Sequence, residues 1–256
     1  MAMMIVNGLP SRRRQQAGTR GFTRLLSASL FLVPVLLAVT PVAANHPGGD
    51  LDKVMADKEP YFQVIGRPAP SFELTDAQGK LARLSDYTGK LIVLHFIYAS
   101  CPDICPLHAD KIAEVQALVN DTPMRELVQF LSVSTDPSND TAEVREAFGP
   151  AHGLDPANWR FLATTDPALE GRTRKLAEAF GHSFSPTPDG QQIHGAVTHV
   201  IGPDGTWAAN FHGVEFKSLN LVLYLNGVAN NAHSQSQNQN PGWWNRITEF
   251  LWDENT

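Results

Sequence analysis

The sequence predicts an α/β domain with a central mixed sheet flanked by helices. Three observations carry this expectation. Apolar runs bounded by turn residues, at 91–98 and 127–133, read as buried strands. Stretches with apolar residues at helical spacing alternate with them, as βαβ crossovers require. Near the end, residues 194–201 and 206–211 flank Gly202-Pro203-Asp204-Gly205, the pattern of an antiparallel pair joined by a tight turn.

Taken in order, the chain opens with the three parts of an export signal. Residues 12–24 are basic, 25–39 are apolar, and Val42-Ala43-Ala44 is a small-residue exit. Residues 1–44 are therefore expected to be a signal peptide or an N-terminal membrane anchor, which would set the remainder in the periplasm or on the outer face of an inner membrane. Residues 45–60 are polar and read as a linker, and the domain is expected over 61–228. Phe72-Glu73-Leu74 and 81–84 alternate around Asp76-Ala77-Gln78-Gly79, an N-terminal hairpin. Ile104, Leu107, Ile112, Val115 and Leu118 form one helical stripe. After the strand at 127–133, Thr141 is placed to cap a helix reaching about Phe148. A short strand follows at 159–163, then a helix from Asp166 or Pro167 to about Phe180 and a loop over 181–192. The last helix of the domain is read at 216–227. Residues 229–241, rich in Asn, Gln and Ser, read as a second linker. In the tail, 242–256, Trp243, Trp244, Ile247, Phe250, Leu251 and Trp252 share a helical face that suits either a membrane interface or a protein surface.

Charge narrows the function. Five of the 20 basic residues lie in 1–44, where there is no acid, so the rest of the chain holds 15 basic against 26 acidic residues. That balance argues against nucleic-acid binding, which leaves a basic footprint.

The two cysteines of the chain stand in Cys101-Pro102-Asp103-Ile104-Cys105-Pro106, between the strand at 91–98 and a helix. A helix N-terminus offers unpaired N–H groups and a positive dipole end, both of which favour thiolate over thiol. A disulfide closing so short a loop would stabilise the fold little, so the pair suits reactivity or metal binding better than stapling. Two thiolates alone support disulfide exchange, and a third ligand of imidazole type makes a site for a soft metal such as copper. Of the nine histidines, His194 is the strongest candidate, at a strand start after a flexible loop. Alternation sets His194, Ala196, Thr198 and Val200 on one face and His199 on the other. His108 is a spare ligand or an exposed helix residue, His95 a hydrogen-bonded core residue, and His182 and His212 surface residues. The helix begins at Pro102 or at Pro106, since either proline is comfortable at a first helical position. Asp103 reads as shaping the loop or meeting a partner.

This constellation resembles the Sco/SenC family of copper-binding, thioredoxin-like proteins. The resemblance rests on the CxxxC spacing, on His194 standing 89 residues after Cys105, and on Gly202-Pro203-Asp204-Gly205 beyond it. Ala69-Pro70-Ser71-Phe72-Glu73-Leu74 resembles the entry hairpin, and Ser132-Val133-Ser134-Thr135-Asp136-Pro137 the exit of the second strand. It covers residues 61–227. It implies a thioredoxin-like fold and Cys101, Cys105 and His194 as copper ligands. It also implies a metallochaperone that serves the dinuclear copper site of cytochrome c oxidase, whose copper-site subunit or another copper protein would be the partner. Gly195 stands where the family often has Thr or Ser. The competing expectation is an exported thiol–disulfide oxidoreductase that uses Cys101 and Cys105 without metal. A peroxidase-like reading would need Thr135 and Arg160 set around one cysteine, and nothing in their spacing selects them.

Overall fold

A computed structural model describes residues 50–164, 171–183, 185–186, 192–193 and 195–239, with backbone alone for 185–186, 192–193 and 233–239. The expected signal or anchor, His194 and the Trp-rich tail lie outside the described residues.

In chain order the helices are α1 (Leu51–Lys58), α2 (Ile104–Asn120), α3 (Ala142–Ala151), α4 (Gly171–Ala179) and α5 (Ser218–Gln239). The strands are β1 (Phe62–Pro68), β2 (Glu73–Thr75), β3 (Leu81–Arg83), β4 (Leu91–Ile97), β5 (Val128–Ser134) and β6 (Trp159–Leu162), then the short β7 (Ser185–Pro186) and β8 (Gln192–Ile193), and β9 (Val197–Ile201) and β10 (Thr206–His212). Six of them form one mixed sheet in the order β1-β10-β9-β4-β5-β6. β4, β5 and β6 run parallel, while β9, β10 and β1 are each antiparallel to their neighbours. The predicted α/β class and the mixed sheet, crossovers first and antiparallel pair last, are therefore present.

β4 is the centre. All seven of its residues are buried, because helices or the hairpin cover both of its faces. Leu91, Val93 and Ile97 point to one face and pack with Ile112, Val115 and Leu225. Ile92, Leu94 and Phe96 point to the other and pack with Leu176, Phe180 and the β2–β3 residue Leu74. Each such side chain contributes about 1.5–3 kcal/mol by leaving water. This places α2 and α5 on one side of the sheet, and α4 with the β2–β3 hairpin on the other.

Several expectations change. The strand expected from 194 begins at Val197, and β7 and β8 fall in or at the end of the stretch expected as a loop over 181–192. The stretch read as a linker at 45–60 contains α1, whose Met55 is buried. α1 seats Leu51 where any Cβ at Gly227 would collide with it, and Tyr224 donates its hydroxyl hydrogen to Asp52. One short helix carries too few apolar positions for its stripe to stand out. β1 also passed unread, since Gly66 and Pro68 look like turn residues. It is an edge strand, and its register shifts between Val64 and Arg67, where Gly66 takes φ 69°. Finally, α5 runs on through the stretch read as a second linker, as far as Gln239. That segment is polar, but it contains no Gly or Pro between Gly227 and Pro241 to stop a helix.

Candidate metal centre

The cysteines sit where β4 ends and α2 begins, at the C-terminal end of the parallel strands, the edge where open α/β sheets bind their ligands. Tyr98 and Cys101 close a turn, Cys101 N–H to Tyr98 O at 3.2 Å. α2 starts at Ile104, between the two prolines that left its start open, with Asp103 as an N-cap residue that makes no side-chain capping bond. Cys105 is thus in the first turn, and Cys101 lies in the loop just before it. Pro106 costs nothing there, because the first-turn amides lack helical partners.

Both cysteines are free thiols, Cys101 7% and Cys105 1% exposed. Their environments pull them apart. Burial pushes Cys101 up, but hydrogen bonds from the Cys105 thiol, the amides of Asp103 and Cys105 and the Tyr98 hydroxyl outweigh it and hold Cys101 below the usual thiol value. Burial pushes Cys105 strongly up, and its bond to Cys101 adds to this, against one backbone hydrogen bond from Tyr98. Orphan amides of the helix start therefore serve the sulfur of Cys101. Sequence reasoning missed Tyr98, whose signal was present: an aromatic with a polar tip closing an apolar strand just before the motif.

The predicted third ligand, His194, is not among the described residues. Within those residues, no group of three or more His, Cys, Asp and Glu side chains is arranged to hold a metal ion. Five other histidines, all among the described residues, have clear places. His199 does face away from Thr198 and Val200, as alternation required, but it is fully buried rather than half-buried. Its Nδ1–H donates to Asn210 Oδ1 at 2.7 Å, and its Nε2 is 2.9 Å from His182 Nε2. His182, expected at the surface, is buried by this pairing. His108 is buried as well, not exposed, with Nε2 2.8 Å from Thr198 Oγ1. Its side of α2 faces the sheet, which helical spacing from Cys105 alone did not reveal. His95 is a core residue paired with Ser132 Oγ at 3.0 Å, as expected. His212 is exposed and meets Gln63.

The residues of the peroxidase-like reading have backbone partners. Thr135 is buried on the carbonyl of Ile97, and Arg160 donates to the carbonyls of Pro156 and Trp159 at the sheet edge.

With this geometry in view, the comparisons with known proteins are informative. The SCO1/SenC family model matches residues 66–221. A SCO2-like protein of Rickettsia felis is 26% identical over 180 residues, covering 69% of this chain and 84% of the relative. A SCO1 homologue of Bacillus subtilis is 27% identical over 150 residues, covering 56% and 73%. Among solved structures, a SCO1/SenC family lipoprotein of Bacillus anthracis aligns with a TM-score of 0.59 at 24% identity, covering 65% of this chain and 98% of that one. ScoI of Bradyrhizobium japonicum with copper bound aligns with a TM-score of 0.52 at 25% identity, covering 62% and 98%. The matched span takes in both cysteines, the strands that position them and the Gly202–Gly205 turn, so the fold is thioredoxin-like and the chain belongs to the SCO1/SenC family.

Proposed function

We propose that this chain is an exported copper metallochaperone. It binds one copper through Cys101, Cys105 and His194 and delivers it for assembly of the dinuclear copper site of cytochrome c oxidase. The observation that carries the reading is the state of the pair: two free thiols at an open sheet end, one of them held toward thiolate by helix-start amides. Two thiolates and an imidazole suit copper and exclude the hard, oxygen-preferring ions. Three ligands leave a position for an incoming donor, so the metal can pass by ligand exchange. The family and the copper-bound relative support the same cargo. The periplasm, or the outer face of the inner membrane, is the proposed location, reached by way of residues 1–44. The Trp-rich tail offers a second membrane contact.

A second reading, a thiol–disulfide oxidoreductase, is favoured by the asymmetry of the thiols. Cys101 thiolate would attack one sulfur of a target disulfide, and the released thiolate would take up a proton. Cys105 would then attack Cys101, freeing the reduced target and leaving Cys101–Cys105 oxidised.

Titrating the reduced full chain with copper, beside Cys101→Ser, Cys105→Ser and His194→Ala, tests the two. One copper per chain with a sulfur-to-copper absorption band, lost in each variant, is the expected result. No stoichiometric copper, with both thiols still reactive, would leave the oxidoreductase. Copper retained by His194→Ala would remove that residue from the ligand set.

A further inference from the structure

We propose that Asp140 is a positioning residue for the cysteine pair: its carboxylate ties the loop between β5 and α3 to the turn that carries Cys101. The inference rests on the pair being the working centre of the proposed function, but not on the metal it takes.

Asp140 is 2% exposed, and both of its carboxylate oxygens are engaged. Oδ1 accepts the amide hydrogen of Ala99 at 2.9 Å, and Oδ2 accepts the hydroxyl hydrogen of Ser134 at 2.5 Å. Ala99 lies inside the turn that Cys101 N–H closes onto Tyr98 O. One residue earlier, Ile97 O accepts the amide of Thr135 at 2.8 Å, the last rung between β4 and β5. Beyond that rung, Asp140 ties the β5 side to this turn through Ala99.

The tether is itself braced. Arg145 of α3, also 2% exposed, donates Nε–H to Asp140 O at 3.1 Å. Its Nη1 donates to Thr75 O at 2.9 Å and to Phe161 O at 3.2 Å. A buried arginine therefore fixes the backbone of Asp140 against β6 and the β2–β3 hairpin. The carboxylate then reaches across to the cysteine turn. Buried carboxylates are rarely kept where a neutral group would serve, since desolvation of the charge is costly. Burial holds the Asp140 carboxyl above the usual carboxylate range, and its charge is among the influences that raise Cys105. The carboxylate is thus felt electrically at Cys105, beside its geometric tie to the turn through Ala99.

Asn keeps an acceptor oxygen for Ala99 N–H, whereas Ala removes it, so the two substitutions separate the tether from mere packing. The first readout is exchange of the Ala99 amide by NMR. It should quicken at least tenfold in Asp140→Ala and stay within threefold of wild type in Asp140→Asn. The second is the thiol–disulfide equilibrium of Cys101 and Cys105 with glutathione, measured without copper on folded protein. It should move about tenfold in Asp140→Ala, equivalent to about 30 mV, and less than threefold in Asp140→Asn. If Asp140→Ala does not fold, Ser134→Ala, which frees Oδ2 and loosens the carboxylate, should give a shift in the same direction of about threefold. An unchanged equilibrium in a folded Asp140→Ala, or in Ser134→Ala where Ala fails, would overturn the proposal. So would an Asn variant as perturbed as the Ala variant. Because neither readout uses copper, failure of wild type to bind the metal would refute the chaperone reading and leave this test standing.

Discussion

The buried histidines make stability depend on pH in a way that can be worked out in advance. His199 and His95 are both fully buried, and burial is the first cause that holds each well below the ordinary histidine value. For His199 the geometry says why protonation is resisted. Asn210 Oδ1 accepts from both Trp207 Nε1–H and His199 Nδ1–H, each at 2.7 Å, so the His199 proton is already committed to Nδ1. A second proton on Nε2 would face His182 Nε2 at 2.9 Å, in place of the hydrogen bond now shared there. His95 is likewise flanked by His108, with ring centroids 4.8 Å apart. In the unfolded chain both residues titrate near 6.5. Below that pH the unfolded state binds more protons than the folded one, so stability falls as pH falls. With each folded residue neutral, the loss per histidine between pH 7.5 and 5.5 is about 1.4 kcal/mol, or about 2.7 kcal/mol for the two. Asp140, raised by burial, acts in the opposite sense where it takes up its proton. Urea unfolding of the full chain at the two pH values, followed by tryptophan fluorescence, should show the midpoint fall by about 1 M. His199→Gln should roughly halve that fall, while costing about 1–3 kcal/mol at pH 7.5 through the partners it leaves unpaired. A midpoint that does not move between the two pH values, or a His199→Gln variant with the full wild-type fall, would refute the reasoning.

Other expectations follow from particular contacts. Gly149→Ala would normally favour a helix by about 1 kcal/mol, but its Cβ would press into the indole of Trp159. A net loss of about 1–3 kcal/mol is expected by thermal unfolding, and a gain would show that the indole moves freely. Substoichiometric iodoacetamide at pH 7.5 should label Cys101 at least tenfold ahead of Cys105 by peptide mapping, given the lowered first thiol and the raised, more deeply buried second. Equal labelling would contradict the asymmetry. Arg145→Met should cost about 2–4 kcal/mol in chemical unfolding, because the Asp140 and Phe161 carbonyls lose the guanidinium and that of Thr75 keeps only the Ala163 amide. Arg145→Lys should rescue it only partly, since an ammonium cannot span the same fork.

The reach of the sequence differed by element for physical reasons. β4 and β5 were plain because strands buried on both faces become unbroken apolar runs. Thr141 as the cap of α3 was equally plain, and its hydroxyl does accept the Val144 amide hydrogen. The CxxxC motif pointed to a candidate site at the β4–α2 junction, where both cysteines do stand. The linker readings at 45–60 and 229–241 missed α1, whose one buried residue leaves little periodicity, and the continuation of α5 to Gln239 through a polar stretch. The buried polar residues were the least legible. His108, His182, Asp140 and Arg145 look like surface residues by type, and each is held inside by at least one partner far from it in sequence. His108 meets Thr198 across 90 positions, and Arg145 meets Thr75 across 70. No local pattern encodes such pairs.

The arrangement of the two thiols also bears on how a cargo would leave. Cys105 sits in the first turn of α2 and is almost wholly covered, whereas Cys101 is in the loop and retains some exposure. An acceptor's donor atom would meet the Cys101 side first, because Cys105 is almost wholly covered. The sulfur that is easier to reach is also the better stabilised thiolate, since helix-start amides and the Tyr98 hydroxyl point to it. A stabilised thiolate is a weaker base, so it surrenders a soft metal more readily than its partner does. Under the proposed function, exchange would therefore begin at Cys101 and end at Cys105. The same order, with Cys101 reacting first and Cys105 resolving, follows for disulfide exchange. One asymmetry thus serves both chemistries, which is why copper stoichiometry rather than thiol reactivity is the measurement that separates them.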